Sequence, residues 1–289
     1  MSCDCKREKS LEQSGGICPH VSAPDGYPFR CVGPWSFDKL KILERYIDMF
    51  KAVSNKWNSL VYVDLFSGPG MCYDYQNEKW NESSPLIAVK YAKHFKKYIF
   101  VDKNKKSISY LKSRLKGLEN CKKEFIVGDC NDRIDDVLKL IPKGSLCLFF
   151  ADPTGLDFKY KTLKKILEYN NTKKDIIELF PYEMAVKRNL ANWRTIKKSL
   201  PLDEFLGIEN SVNLIKNQNS LIGVYQEVLR LYSKSIISCN PAYKESHSSK
   251  AIRSSKNVQL YHLYFISSNS LGKKFFKKAL KIDKQLTLI

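Results

Sequence analysis

The 289-residue sequence contains no run of about 18 apolar residues, the length a membrane-spanning helix needs, so no membrane association is expected. Its first residues, MSCDCKREKS, lack the apolar stretch of a secretory signal, which makes a cytoplasmic setting the expectation. Acidic residues are scarce: 30 Asp and Glu stand against 49 Lys and Arg, for a net charge of +19. The deficit is deepest late in the chain, where Asn210 to Ile289 carry 3 acidic and 13 basic residues. Such one-sided charge suggests a polyanionic partner, with nucleic acid the first candidate; the plain alternative is a lysine-rich solvated face. The pairing that opens a structural zinc site, two cysteines with two to four residues between them, is also missing early in the chain. Cys3 and Cys5 form C-x-C, and 12 residues separate Cys5 from Cys18 and Cys18 from Cys31, with His20 nearby. No metal is expected there. Cys72, Cys121, Cys130, Cys147 and Cys239 are scattered, which suits a reducing compartment.

Two phosphate cradles are absent as well. VYVDLFSGPG, Val61 to Gly70, is an apolar strand pattern running into a glycine-rich loop. It has neither the third glycine of G-x-G-x-x-G nor a following Walker lysine, so dinucleotide and triphosphate binding lose ground. An NAD-linked oxidoreductase is disfavoured on the same grounds.

What is present is alternation. Residues 1–34, rich in Gly, Pro, Ser and Cys, read as a loop-like arm. A helix is predicted next, with Ser36 as N-cap and Leu40, Leu43, Ile47 and Phe50 on its core face. The runs LVYVDLF, YIFVDKN, EFIVGDC, LCLFFADP and DIIELFP then alternate with helical patterns over 84–95, 104–118, 131–141 and 160–169. Strands rich in Val, Ile and Phe between helices predict an α/β fold: a mostly parallel, Rossmann-like sheet covered on both faces. Residues 35–181 are the predicted core. Residues 182–218 read as an inserted or capping segment, followed by a helix near 220–233, a strand over 258–268 and a lysine-rich terminal helix. The basic region 182–289 therefore either completes the sheet or forms a small winged-helix-like appendage.

Four successive strands end in an acid: Asp64, Asp102, Asp129 and Asp152. Ligands of an open parallel sheet bind outside the carboxyl ends of its strands. Gly68 and Gly70 let the backbone approach a ligand there. Asp102 stands where a carboxylate would accept both ribose hydroxyls, and Asp129 where one would accept from an adenine amino group. Each acid alone also reads as a helix N-cap or loop acid. Together they favour a nucleoside-type cofactor, and S-adenosylmethionine, which has no phosphate, matches the missing phosphate loop.

VYVDLFSGPG, FVDKN, GDCND and FADPTGL, in this order, resemble class I S-adenosylmethionine-dependent methyltransferases. More narrowly, VGPWSFDKLKILERYI, DLFSGPG, ADPTGL and YHLYFISSNSLGKKFF resemble the three-Cys-motif partner (TcmP) family, over residues 31 to 280. The resemblance implies a seven-stranded methyltransferase-like fold, S-adenosylmethionine as cofactor, and a three-Cys-motif protein as partner; the cysteines of that name belong to the partner. It implies that Asp64, Phe66, Gly68 and Gly70 line the methionine and ribose side, that Asp102 takes the ribose, that Asp129 and Cys130 flank the adenine, and that Lys39 reaches the methionine carboxylate. Amino-methyltransferases end the fourth strand in Asp-Pro-Pro-Tyr, whereas this chain has Asp152-Pro153-Thr154-Gly155. Asp152 and the Pro153 carbonyl are retained to align an amine, and Tyr182, after the fifth strand, is the candidate for the missing stacking ring. The expected function is methyl transfer to an amino group of nucleic acid; the alternative is an inactive binding or partner module on the same scaffold.

Overall fold

The sheet's strand order reverses beside the strand that ends in Asp64, and that reversal positions the site. The computed structural model describes residues 17–281 apart from 19–20, 92–93, 118–120, 194, 196–199, 218–219, 245–246, 250 and 254–256. Cys3, Cys5 and His20 lie outside the described residues. The strands are β1 (Arg30–Val32), β2 (Leu60–Asp64), β3 (Met71–Asp74), β4 (Lys79–Glu82), β5 (Phe95–Asp102), β6 (Lys122–Val127), β7 (Leu146–Ala151), β8 (Lys173–Phe180), β9 (His247–Ser248), β10 (Ile252–Arg253) and β11 (Gln259–Ser267). The main sheet runs β6-β5-β2-β7-β8-β11-β10. β6, β5, β2, β7 and β8 are parallel; β11 is antiparallel to β8, and β9 and β10 pair antiparallel with β11. The predicted mostly parallel sheet of seven positions is therefore present. Chain order runs outward from β2 to β5 and β6 on one side and from β7 to β8 on the other, so the crevice lies at the carboxyl ends of β2 and β7.

Helices cover both faces. They are α1 (Trp35–Phe50), α2 (Ser84–Tyr91), α3 (Lys105–Arg114), α4 (Cys130–Lys139), α5 (Tyr160–Glu168), α6 (Leu190–Trp193), α7 (Pro201–Leu206), α8 (Ser211–Lys216), α9 (Leu221–Cys239) and α10 (Ser270–Ala279). The pleat of β2 feeds two cores. Val61 and Val63 pack with Ile134 and Val137 of α4 and Val224, Val228 and Tyr232 of α9. Leu60 and Tyr62 pack with Leu43, Tyr46 and Ile47 of α1 and Phe276 of α10. Every residue of β2 and β7 is buried, as expected of central parallel strands.

Two features differ from the sequence reading. Helix α1 begins at Trp35, preceded by Pro34 at φ −58°, and no side chain caps it; Ser36 lies buried inside the first turn instead of at the N-cap. Proline's fixed φ starts the helix without a capping side chain. Arg30–Val32, within the span read as a loop-like arm, is a strand: β1 pairs parallel with β3, which pairs antiparallel with β4. These three- and four-residue strands carry no alternation long enough to read. Phe29 of this unit is fully buried and meets Trp80 edge-on, with ring centroids 4.5 Å apart.

Candidate functional site

All four strand-end acids meet at one edge of the sheet, in different surroundings. Asp64, the last residue of β2, is fully buried; its carboxylate accepts from the Tyr62 hydroxyl at 3.1 Å and the Phe66 N–H at 3.2 Å. Burial pushes its pKa up to about 7, against the lowering effect of those hydrogen bonds. It lies beneath the loop rather than on the cleft wall. Asp102 closes β5: its Oδ2 accepts from the Gly68 N–H and its Oδ1 from the Asn104 N–H, both at 2.8 Å. Asp102 thus ties the first loop to the end of the second parallel strand. A carboxylate has about four acceptor sites, so Asp102 keeps capacity for ligand hydroxyls. Asp129 is the N-cap of α4, accepting from the Asn131 N–H and Nδ2 at 2.8 and 2.7 Å.

These groups line a two-lobed cleft. The first lobe, about 590 Å³ with its mouth included, is walled by Phe66, Gly68, Asp102, Asp129, Cys130 and Asp152. The second lobe opens between β1, α1 and β11, with Trp35, Lys39, Asp152, Pro153, Met184 and Tyr261 on its walls. Arg30, Phe66, Gly68, Asp152 and Thr154 belong to both lobes, so the two are contiguous. Gly68 has φ +62°, a left-handed conformation that favours glycine at this junction.

Asp152 does not stand alone. Lys39 Nζ lies 2.6 Å from its Oδ2 and 2.7 Å from its Oδ1, with the two side chains 14% and 19% exposed. The same ammonium lies 5.5 Å from the centre of the Tyr261 ring, whose hydroxyl donates to the Trp35 carbonyl at 2.8 Å. Lys39 therefore faces the second lobe as the ion-pair partner of Asp152. Cys130 is 2% exposed, and burial pushes its thiol pKa up, so it is a neutral wall group and not a nucleophile.

Two predicted positions lie elsewhere. Gly70, at φ +100°, faces Leu111 and Arg114 of α3, and a Cβ there would come within 3.1 Å of Leu111. It turns the loop under α3 without reaching the cleft. Tyr182 is also displaced. The chain makes a π-helical turn over Tyr182–Val186, which sends the Tyr182 hydroxyl to the Leu221 carbonyl at 2.8 Å and its ring against Tyr225. The rings that do line the second lobe are Trp35, Phe66 and Tyr261. Sequence reasoning missed Tyr261, Trp35, Met184 and Arg30. Only Tyr261 left a signal, as an apolar-phase position in the alternating run VQLYHLYFISS. Among the described residues, no group of three His, Cys, Asp or Glu side chains is placed to hold a metal, and no helix is long and apolar enough to cross a membrane.

No family model matches this chain, and no curated protein matches it. Solved structures do. A protein from Legionella pneumophila strain Philadelphia 1 superposes with TM-score 0.48 at 10% identity, over 82% of this chain and 89% of that one. The O-methyltransferase from Bacillus cereus in complex with SAH superposes with TM-score 0.40 at 9% identity, over 89% of this chain and 87% of that one.

Proposed function

We propose that this chain is an S-adenosylmethionine-dependent methyltransferase acting on an amino group of nucleic acid. The observation that carries the reading is the contiguity of the two lobes at Asp152: a nucleoside lobe bearing Asp102 and Asp129 opens directly onto a second lobe beside the fourth parallel strand. The residues fit the cofactor. Asp102 offers acceptors to a ribose, Phe66 and Cys130 offer apolar walls, and Gly68 leaves the junction clear of a side chain. When bound, the cofactor supplies a methyl group activated by its sulfonium. The chain's task is then alignment and electrostatics. Asp152 and the Pro153 carbonyl accept from the acceptor amine and orient its lone pair, while Tyr261 and Trp35 flank the planar group that carries it.

The net charge of +19 supports a polyanionic substrate, and a base buried in a duplex would have to be flipped out to enter the second lobe. The resemblance of DLFSGPG and ADPTGL to the three-Cys-motif partner family supports a protein partner of that kind. One observation favours a second reading, a binding module without transfer: the carboxylate that would align the amine is already engaged by Lys39.

Calorimetry with S-adenosylmethionine tests the cofactor assignment. Wild type should bind, and Asp102→Asn should bind about 10- to 100-fold more weakly, the effect of weakening hydrogen bonds to a charged group. Absence of binding at millimolar ligand removes the methyltransferase reading; unchanged affinity in Asp102→Asn removes the ribose assignment.

A further inference from the structure

We propose that Arg30 holds the methionine carboxylate of the cofactor, the role the family resemblance suggests for Lys39. The inference rests on the S-adenosylmethionine reading above. A carboxylate in a partly closed cleft needs a cation that is not already engaged. Among the described residues, three cations line the cleft. Lys39 is engaged by both oxygens of Asp152, at 2.6 and 2.7 Å. Lys103 lines the nucleoside lobe only, next to Asp102, at the ribose end. Arg30 lines both lobes, and among the described residues its guanidinium has no ion pair or hydrogen bond.

Its position is set by backbone pairing. β1 runs parallel to β3 with Arg30 opposite Cys72, which holds the strand over the first loop. The side chain crosses Gly68: a Cβ on that glycine would stand 3.4 Å from Arg30 Cδ and 3.9 Å from Nη1. Those are ordinary contact distances, so it is the left-handed backbone, φ +62°, that favours glycine there. A second arginine fixes the same region. Arg114 donates to the carbonyls of Pro69 and Pro28 at 2.6 and 2.9 Å and pairs with Asp25 at 2.7 Å, so the loop is tied to the chain leading into β1. The guanidinium is therefore presented at the junction of the lobes, where the amino-acid end of a cofactor seated on Asp102 must lie. Its planar fork matches a carboxylate bidentately.

Calorimetry with two ligands separates this assignment from the reading beneath it. S-adenosylhomocysteine carries the amino-acid end; methylthioadenosine keeps the nucleoside and thioether and lacks it. Arg30→Met is expected to weaken S-adenosylhomocysteine by about 10- to 100-fold and to leave methylthioadenosine unchanged, with Arg30→Lys between wild type and Arg30→Met. Equal weakening of both ligands would show a structural role only and overturn the proposal. So would a selective loss in Lys39→Met with none in Arg30→Met. If wild type binds neither ligand, the cofactor reading falls and this assignment with it; if wild type binds both and Arg30→Met does not discriminate, the assignment alone falls.

Discussion

Asp152→Ala is expected to lower methyl transfer about 100-fold or more while S-adenosylhomocysteine affinity stays within about threefold, because the residue aligns the acceptor and does not seat the nucleoside. The separation follows from geometry. Asp152 stands where the lobes meet, whereas Asp102, the proposed ribose acceptor, lines the first lobe only, tied to Gly68 and Asn104. The substitution also strands Lys39, a largely buried ammonium left with no carboxylate. Asp152→Asn guards against that complication: it keeps a hydrogen-bond acceptor and the side-chain shape, and pairing it with Lys39→Met removes the stranded charge. The measurement is transfer of a tritiated methyl group to bulk cellular nucleic acid, with and without a three-Cys-motif protein as the proposed partner. Equal label with wild type and Asp152→Ala removes Asp152 from the chemistry. Cofactor binding with no label in any sample favours the binding-module reading.

How much of this was legible in the sequence differs by element. The parallel core could be read because its strands are apolar throughout: LVYVD and LCLFFA are buried along their whole length, and such runs between helical patterns admit few arrangements. The edge of acids could be read because strand ends are marked by the abrupt change from apolar to charged residues. What happens after β8 could not. Whether Tyr182 enters the cleft depends on a π-helical turn that no periodicity announces, and Tyr261, an aromatic that does line the second lobe, comes from β11, 79 residues later in the chain. Arg30 was hidden for a related reason. A three-residue strand gains its meaning from its partner β3, and pairing between distant short segments leaves no local pattern. Charge misleads in the same way. The lysines of α10 are part of the basic end, yet this helix starts beside Asp175, at the opposite edge of the sheet from the acids, with Gly272 packed on that carboxylate.

The second large expected effect concerns stability, which should fall by several degrees in melting temperature between about pH 6 and about pH 8.5. Three of the buried carboxyls, Asp64, Asp175 and Glu178, carry this expectation. Burial, opposed by hydrogen bonds, raises Asp175 to about 6, Asp64 to about 7 and Glu178 to about 8. In the unfolded chain each titrates near 4. Between about 4 and its folded value, each group is protonated in the native state and ionised in the unfolded one, so folding takes up a proton. The stabilisation is therefore complete below about 4 and is lost as pH rises through 6, 7 and 8 in turn. Lys174, lowered to about 8 by burial, acts in the opposite sense, and only above that value. Glu178 should contribute most. It has no exposed surface, the Tyr232 hydroxyl donates to its Oε2 at 2.5 Å, and its Oε1 has no hydrogen-bond partner. Ionisation there leaves a buried charge with one hydroxyl to stabilise it. Glu178→Gln keeps an acceptor for Tyr232 and cannot ionise, so its melting temperature should fall less over the same interval. A slope that survives Glu178→Gln unchanged would shift the titration to Asp64 or Asp175. Asp64→Asn then separates the two: Asp64 is held by Tyr62 and the Phe66 N–H beneath the cleft, whereas Asp175 is held by Tyr46 and Ser267 at the far edge.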